Sequence, residues 1–384
     1  MTMWPHEVRS DLRDGLRAKR KGDVDTAISY LSRAWQTTKS LPLETFGDDP
    51  LLKVTGIGIA LGGLLEDAHR LEDAYAVYED TFWLLRTAYM NLPPSTLDNR
   101  PDLGVETLKG LTRADRMRAV SLSYKLAEMA HDLSRPSEEE ERWLVWSVEA
   151  ILRTVLDAPP MKAVEVVTRD GTGTGVGDEH PKVKVLVEQL GLPTWSVRHD
   201  IAAPFEALGT YYAKSGNITY ALPLYLQAIS ILLPPTPNVT PVEDRCRGAQ
   251  LMGNVAELMI SSTNTKNASP EALSQAEAWA RKGLDVVIAA RKLSPIKCDV
   301  CEESFAMLLY NVAMIRELSG DRTQARTLLT EALEQSKAIG MDEGIKYSEE
   351  ALRALDEGKE EFKSFPIEPE GRQKKDETSE SVLF

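Results

Sequence analysis

The chain has 384 residues, with 59 acidic against 45 basic residues and a formal net charge of −14. That negative balance, with no long Lys/Arg block, excludes a binder that works by displacing counterions from phosphates, so nucleic acid is not an expected partner. Three cysteines (Cys246, Cys298, Cys301) are too few for a disulfide-stapled secreted scaffold, and no run reaches the ~18–20 apolar residues needed to span a bilayer.

Met1–Glu7 contains neither an apolar signal core nor an Arg-rich transit stretch. This end is expected to belong to an untargeted soluble protein or to lack an N-terminal segment. From there one spacing repeats. A small residue lies in a first helix, and Ala follows twelve positions later in the next helix. An aromatic residue or Leu comes four positions after that, and usually a small residue three further on. The first copy is Gly15, Ala27, Leu31, Ala34; the second is Gly62, Ala74, Tyr78, Thr81. A degenerate third pair is predicted at Met117–His131 and Glu138–Leu156, carrying Trp143, Ser147 and Ala150, with about four extra turn residues around Pro136.

Residues 158–194 interrupt the pattern. Four glycines between Gly171 and Gly177 predict a loop, flanked by Val164–Val167 and Lys182–Val185, which suit a short hairpin. The repeat resumes in Ala202–Leu233 with Gly209, Ala221, Tyr225 and Ala228, and Pro234-Pro235 closes that helix. A second degenerate pair, Cys246–Ile260 with Pro270–Ala290, carries Gly253, Ala276, Ala280 and Gly283, its turn lengthened by Ser262–Ser269. The last copy is Ala313, Ala325, Leu329, Ala332. Gly22, Gly216 and Gly320 mark turns. Asp342–Leu355 reads as a closing helix, and the polar Glu357–Phe384 is expected to be disordered. The expected organisation is therefore 1–157, an insertion at 158–194, 195–356 and a tail at 357–384.

Two antiparallel helices on a short turn must approach closely where they cross, and Gly or Ala permits this. Tyr or Leu fills the adjoining space. Each pair leaves an apolar face that only a neighbouring pair can cover. This pattern resembles the tetratricopeptide repeat. The predicted fold is an all-α right-handed superhelical solenoid of about six pairs with a C-terminal capping helix.

Other motifs lack the context their chemistry requires. Gly171–Gly177 runs on into Asp178-Glu179-His180, not the Gly-Lys-[Ser/Thr] of a phosphate loop. Gly56–Gly63 echoes a dinucleotide fingerprint inside a helical repeat, where small residues serve packing. The five histidines are scattered, and no HExxH, GxSxG or paired-carboxylate motif occurs. No catalytic, metal or cofactor residues are expected. Cys298-Asp299-Val300-Cys301 precedes a helix predicted at Glu302–Leu318; unpaired structural thiols, a Cys298–Cys301 disulfide and a redox or zinc role all stay open. In such arrays the first helices line an inner groove. Repeat offsets nominate Arg9, Lys19 and Arg20, then Glu206, Thr210 and Lys214, then Met307, Tyr310 and Met314, with exposed Tyr and Met suited to peptide capture. Leu12, Leu16, Ile59 and Gly63 stand where some arrays place the Lys and Asn that clamp a chaperone's C-terminal carboxylate, so that clamp is absent.

Trp4–Arg13, Cys298-x-x-Cys301 leading to Tyr310–Ala313, and Gly340–Ile345 resemble a fungal family of mitochondrial tetratricopeptide proteins. The resemblance runs over most of 4–356. It implies a non-catalytic adaptor of the inner-membrane i-AAA protease, facing the intermembrane space and binding unfolded or misfolded substrates. Members carry a presequence and a transmembrane helix ahead of their repeats, and this chain shows neither, so membrane contact is expected only through partners or a missing N-terminal segment. A scaffold or assembly factor for another mitochondrial complex is the alternative.

Overall fold

The computed structural model describes residues 4–90, 104–156, 196–234, 240–261 and 269–357. The Gly-rich insertion and residues 358–384 of the tail lie outside them. All regular elements among the described residues are helical, in agreement with the all-α reading. The helices are α1 His6–Arg20, α2 Val24–Ser40, α3 Pro50–Asp67, α4 Leu71–Thr87, α5 Arg113–Asp132, α6 Ser137–Ala150, α7 Arg198–Lys214, α8 Ile218–Leu232, α9 Val242–Ser261, α10 Pro270–Leu293, α11 Asp299–Leu318, α12 Arg322–Ile339 and α13 Asp342–Glu357. They form two compact units, Met1–Ser196 and Val197–Phe384.

The first unit holds the hairpins α1/α2, α3/α4 and α5/α6; the second holds α7/α8, α9/α10 and α11/α12, closed by α13. Within each unit successive hairpins stack, α2 on α3 and α4 on α5, then α8 on α9 and α10 on α11. This is the tetratricopeptide-type arrangement that the spacing requires.

The repeat residues form the crossings. Ala27, Leu31, Ala34, Ala74, Tyr78, Ala221, Tyr225, Ala228, Ala313, Ala325, Leu329 and Ala332 are all buried. A Cβ on Gly15 would meet Leu31 at 3.0 Å, one on Gly62 would meet the Tyr78 ring at 2.5 Å, and one on Gly209 the Tyr225 ring at 2.9 Å. The small residue in each first helix is thus the seat for the large one in its partner, and an added methyl would force the axes apart.

Five turns share one hydrogen-bond pattern. The N–H of Gly22 donates to Lys19 O and that of Asp23 to Ala18 O; the same pair of bonds recurs at Gly216/Asn217, Gly320/Asp321, His69/Arg70 and Ser134/Arg135. The first position needs positive φ, which glycine supplies at 22, 216 and 320. His69 (φ 56°) and Ser134 (φ 52°) adopt it without glycine. The α5/α6 turn, residues 133–136, is therefore only one residue longer than the glycine turns at 21–23 and 215–217, not four. α6 starts earlier than expected, directly after Pro136, and runs on into a π-turn at Ile151–Val155.

The α9/α10 crossing also differs in register from its prediction. Ala256 packs with Ala280 and Ala276, whereas the bare face of Gly253 looks at Leu308 and Asn311 of the next hairpin. No described helix is long and apolar enough to cross a membrane.

Candidate protein-binding face

In the first unit, Arg9 is half-buried with its Nη2 donating to Trp4 O at 2.7 Å, while Lys19 and Arg20 are exposed at the end of α1. In the second unit, Lys214 is exposed at the end of α7, but Glu206 and Thr210 are buried, with 7% and 3% exposure. Thr210 Oγ1 and the Tyr225 hydroxyl lie 3.1 Å apart. Met307 is half-buried, and Tyr310 and Met314 are buried in a core with Leu329, Ala351 and Leu355. The expectation of an exposed Tyr and Met groove is thus corrected. The closing helix α13 lies over α11 and α12 and covers the surface that repeat offset assigned to a ligand.

On the same side Glu257 of α9, Asn311 of α11 and Glu350 of α13 are partly exposed, as are Phe305 and Met307 of α11, whereas both carboxylate oxygens of Glu317 are buried. Burial raises the Tyr225 phenol well above its usual range, and the fields of Glu206 and Glu257 add to the effect. Tyr310 is raised in the same way by burial, then by Glu317, Tyr347, Glu350 and Glu257. Glu257 thus lies near enough to act on both buried phenols. At the α7/α8 turn Tyr211 meets Tyr212 edge-on and Tyr212 meets Tyr220 at a tilt, with centroids 5.5 and 5.4 Å apart, and Tyr220 is 63% exposed. Carboxylates and tyrosine faces of this kind suit cationic and apolar side chains of an extended partner. The nominated offsets came from the first, fourth and last pairs alone and so named nothing on α9, where Glu257 follows the buried Ala256.

At the start of α7, burial and the adjacent Arg247 guanidinium push His199 down to about 4. Arg247 Nη1 lies 3.2 Å from His199 Nε2. Arginine can only donate, so Nε2 accepts and the ring is neutral with its proton on Nδ1. That buried Nδ1 has no acceptor among the described residues. Asp244 and Glu303 beside it are raised, each chiefly by burial.

The cysteines pair differently from the sequence expectation. Cys246 of α9 is bonded to Cys301, and Cys298 is the free thiol. α11 begins at Asp299, three residues earlier than predicted, so Cys301 lies inside its first turn and faces α9. Next to it, Arg291 donates to both oxygens of Glu302 at 2.9 and 2.7 Å, and Gln335 adds a third bond at 2.7 Å. Burial alone would raise the Glu302 carboxyl, but these donors outweigh it and hold it below its usual range.

No family model matches the sequence. A TPR repeat-containing protein of Schizosaccharomyces pombe is 28% identical over 119 residues, 30% of this chain and 31% of the relative, so the match spans about a third of that protein's length. Among solved structures, BtubC from P. vanneervenii is 10% identical, with 83% of this chain and 92% of that chain covered at a TM-score of 0.48. A tetratricopeptide repeat protein from Parabacteroides merdae is also 10% identical, with coverage of 91% and 99% and a TM-score of 0.33. The fold rests on the hairpins themselves, whose crossings, turns and stacking make this a chain of tetratricopeptide-type repeats.

Proposed function

We propose that the protein is a non-catalytic protein-binding adaptor that holds extended segments of other polypeptides against the first-helix face of its second unit. The observation that carries this reading is the stacked array of tetratricopeptide-type hairpins, whose second unit leaves Glu257 and Glu350 partly exposed and Tyr220 of the α7/α8 turn 63% exposed. The resemblance of Trp4–Arg13 and Gly340–Ile345 to fungal mitochondrial repeat proteins supports a more specific form. In it the protein works at the inner membrane on its intermembrane-space side, presenting misfolded substrates to the i-AAA protease. The partners are then protease subunits and unfolded chains.

The test is a crosslinked pull-down of the endogenous protein from isolated mitochondria, read by mass spectrometry. Recovery of i-AAA protease subunits, lost when Glu257, Glu350 and Tyr220 are replaced together by Ala, supports the adaptor. Stoichiometric recovery of another complex without protease subunits would replace it with a scaffold role. Absence from mitochondria would overturn the localisation and leave only the protein-binding reading.

A further inference from the structure

Two of the three cysteines are bonded across helices, and the third stands where it can displace one of them. Cys298 is the N-cap of α11, and its carbonyl accepts from the Cys301 N–H at 2.9 Å and the Glu302 N–H at 3.1 Å. Its side chain makes no capping hydrogen bond. An N-cap side chain folds over the third residue of the first turn, which is why capping boxes link these two positions, and here that residue is Cys301. Both cysteines line one cleft of about 370 Å³, walled by Ile288, Arg291, Pro295 and Lys297. Cys246 is fully buried on the other side of the bond, among Ala249, Val287, Ala290 and Leu308. The cleft that Cys298 lines therefore reaches Cys301, with Cys246 buried behind it.

We propose that Cys298, Cys301 and Cys246 form a thiol–disulfide exchange centre in which Cys298 takes Cys301 from Cys246. The Cys298 thiol gives up its proton and its sulfur attacks Cys301 Sγ. The Cys298–Cys301 bond forms, the Cys246–Cys301 bond breaks, and Cys246 leaves as thiolate and takes up a proton. There is no net oxidation or reduction. The released Cys246 thiol sits in an apolar pocket that suits a small neutral side chain. The Cys246–Cys301 bond spans 55 residues and fastens α9 to α11, whereas the Cys298–Cys301 bond lies within one helical turn and fastens nothing else. Exchange therefore switches the covalent tie between the last two hairpins on and off.

The experiment equilibrates the full chain in glutathione buffers from oxidising to reducing, quenches with acid, alkylates and maps the peptides. The expected result is a Cys298–Cys301-linked species with alkylated Cys246, in a proportion to the Cys246–Cys301 form that the glutathione ratio leaves unchanged, and formation of that bond by C246S in oxidising buffer. C298S should expose Cys246 to alkylation at least about ten-fold more slowly than wild type at a fixed low thiol concentration, having lost its internal nucleophile. If wild type passes directly from the Cys246–Cys301 bond to three free thiols, or Cys298 is recovered only as a mixed disulfide with glutathione, the proposal is overturned. This wild-type mapping decides the matter even if C246S does not fold.

Discussion

Neighbouring hairpins are joined in two contrasting ways. In the first unit the seam between α4 and α6 is aromatic. Phe82 meets Trp143 and Trp146 edge-on at 5.2 and 4.7 Å, Trp143 Nε1 donates to the Tyr75 hydroxyl at 2.8 Å, and that hydroxyl donates to Glu139 at 2.7 Å. In the second unit the α9/α10 hairpin meets α11 through Ala249, Val287, Ala290, Leu308 and a disulfide, and within that hairpin Gly283 comes so close to α9 that a Cβ would meet the Ala249 carbonyl oxygen at 2.8 Å. Large rings give contact area and directional bonds but keep backbones apart. Small residues let the backbones approach closely enough for cysteines of neighbouring hairpins to bond. The same repeat thus yields one seam stabilised by ring packing and another by backbone proximity.

The contrast can be broken most severely on the aromatic side. Trp143→Ala should cost about 3–5 kcal/mol, since it removes a buried ring and leaves Tyr75 without its donor; a loss below about 1 kcal/mol in urea unfolding would show that the seam is not held by its rings. The second unit should carry the larger acid sensitivity. His199 is neutral in the fold at about 4 against an ordinary value of 6.5, so the unfolded chain binds its proton first. Stability then falls as pH drops from 6.5 towards 4, by up to roughly 3 kcal/mol. His199→Asn should flatten that part of the pH–stability curve, and an unchanged slope would assign it elsewhere. On the small-residue side, Gly283→Ala should cost about 1–3 kcal/mol because the obstructing atom is backbone and cannot turn aside. Thermal melts should show it to be worse than Gly56→Ala, whose Cβ would meet nothing. Smallest is a gain. Ser134→Gly should add up to about 1 kcal/mol by relieving a positive φ in the turn beside the aromatic seam, and a loss instead would mean that the Ser134 side chain holds the turn.

Legibility followed the range of the interaction. The Gly62–Tyr78 and Gly209–Tyr225 crossings were readable because both partners lie on one hairpin, where a three-residue turn converts sequence distance into contact. The α9/α10 register was not, since its longer connection freed the spacing, and Gly253 serves the next hairpin instead. The candidate face was readable only in part. Offsets picked positions on α7 and α11 but could not show that α13 would bury Tyr310 and Met314, or that Glu206 would be buried near Tyr225.

By itself, then, the sequence determined the hairpins, their number and most of their turns, because helix periodicity, capping and glycine conformational freedom act over a few residues. Only the tertiary structure decided which cysteine Cys301 takes, which turns tolerate His69 and Ser134, and how deep each first-helix side chain lies. Those outcomes depend on packing between successive hairpins, whose partners lie tens of residues apart in sequence and where small differences in side-chain volume set how closely two backbones approach.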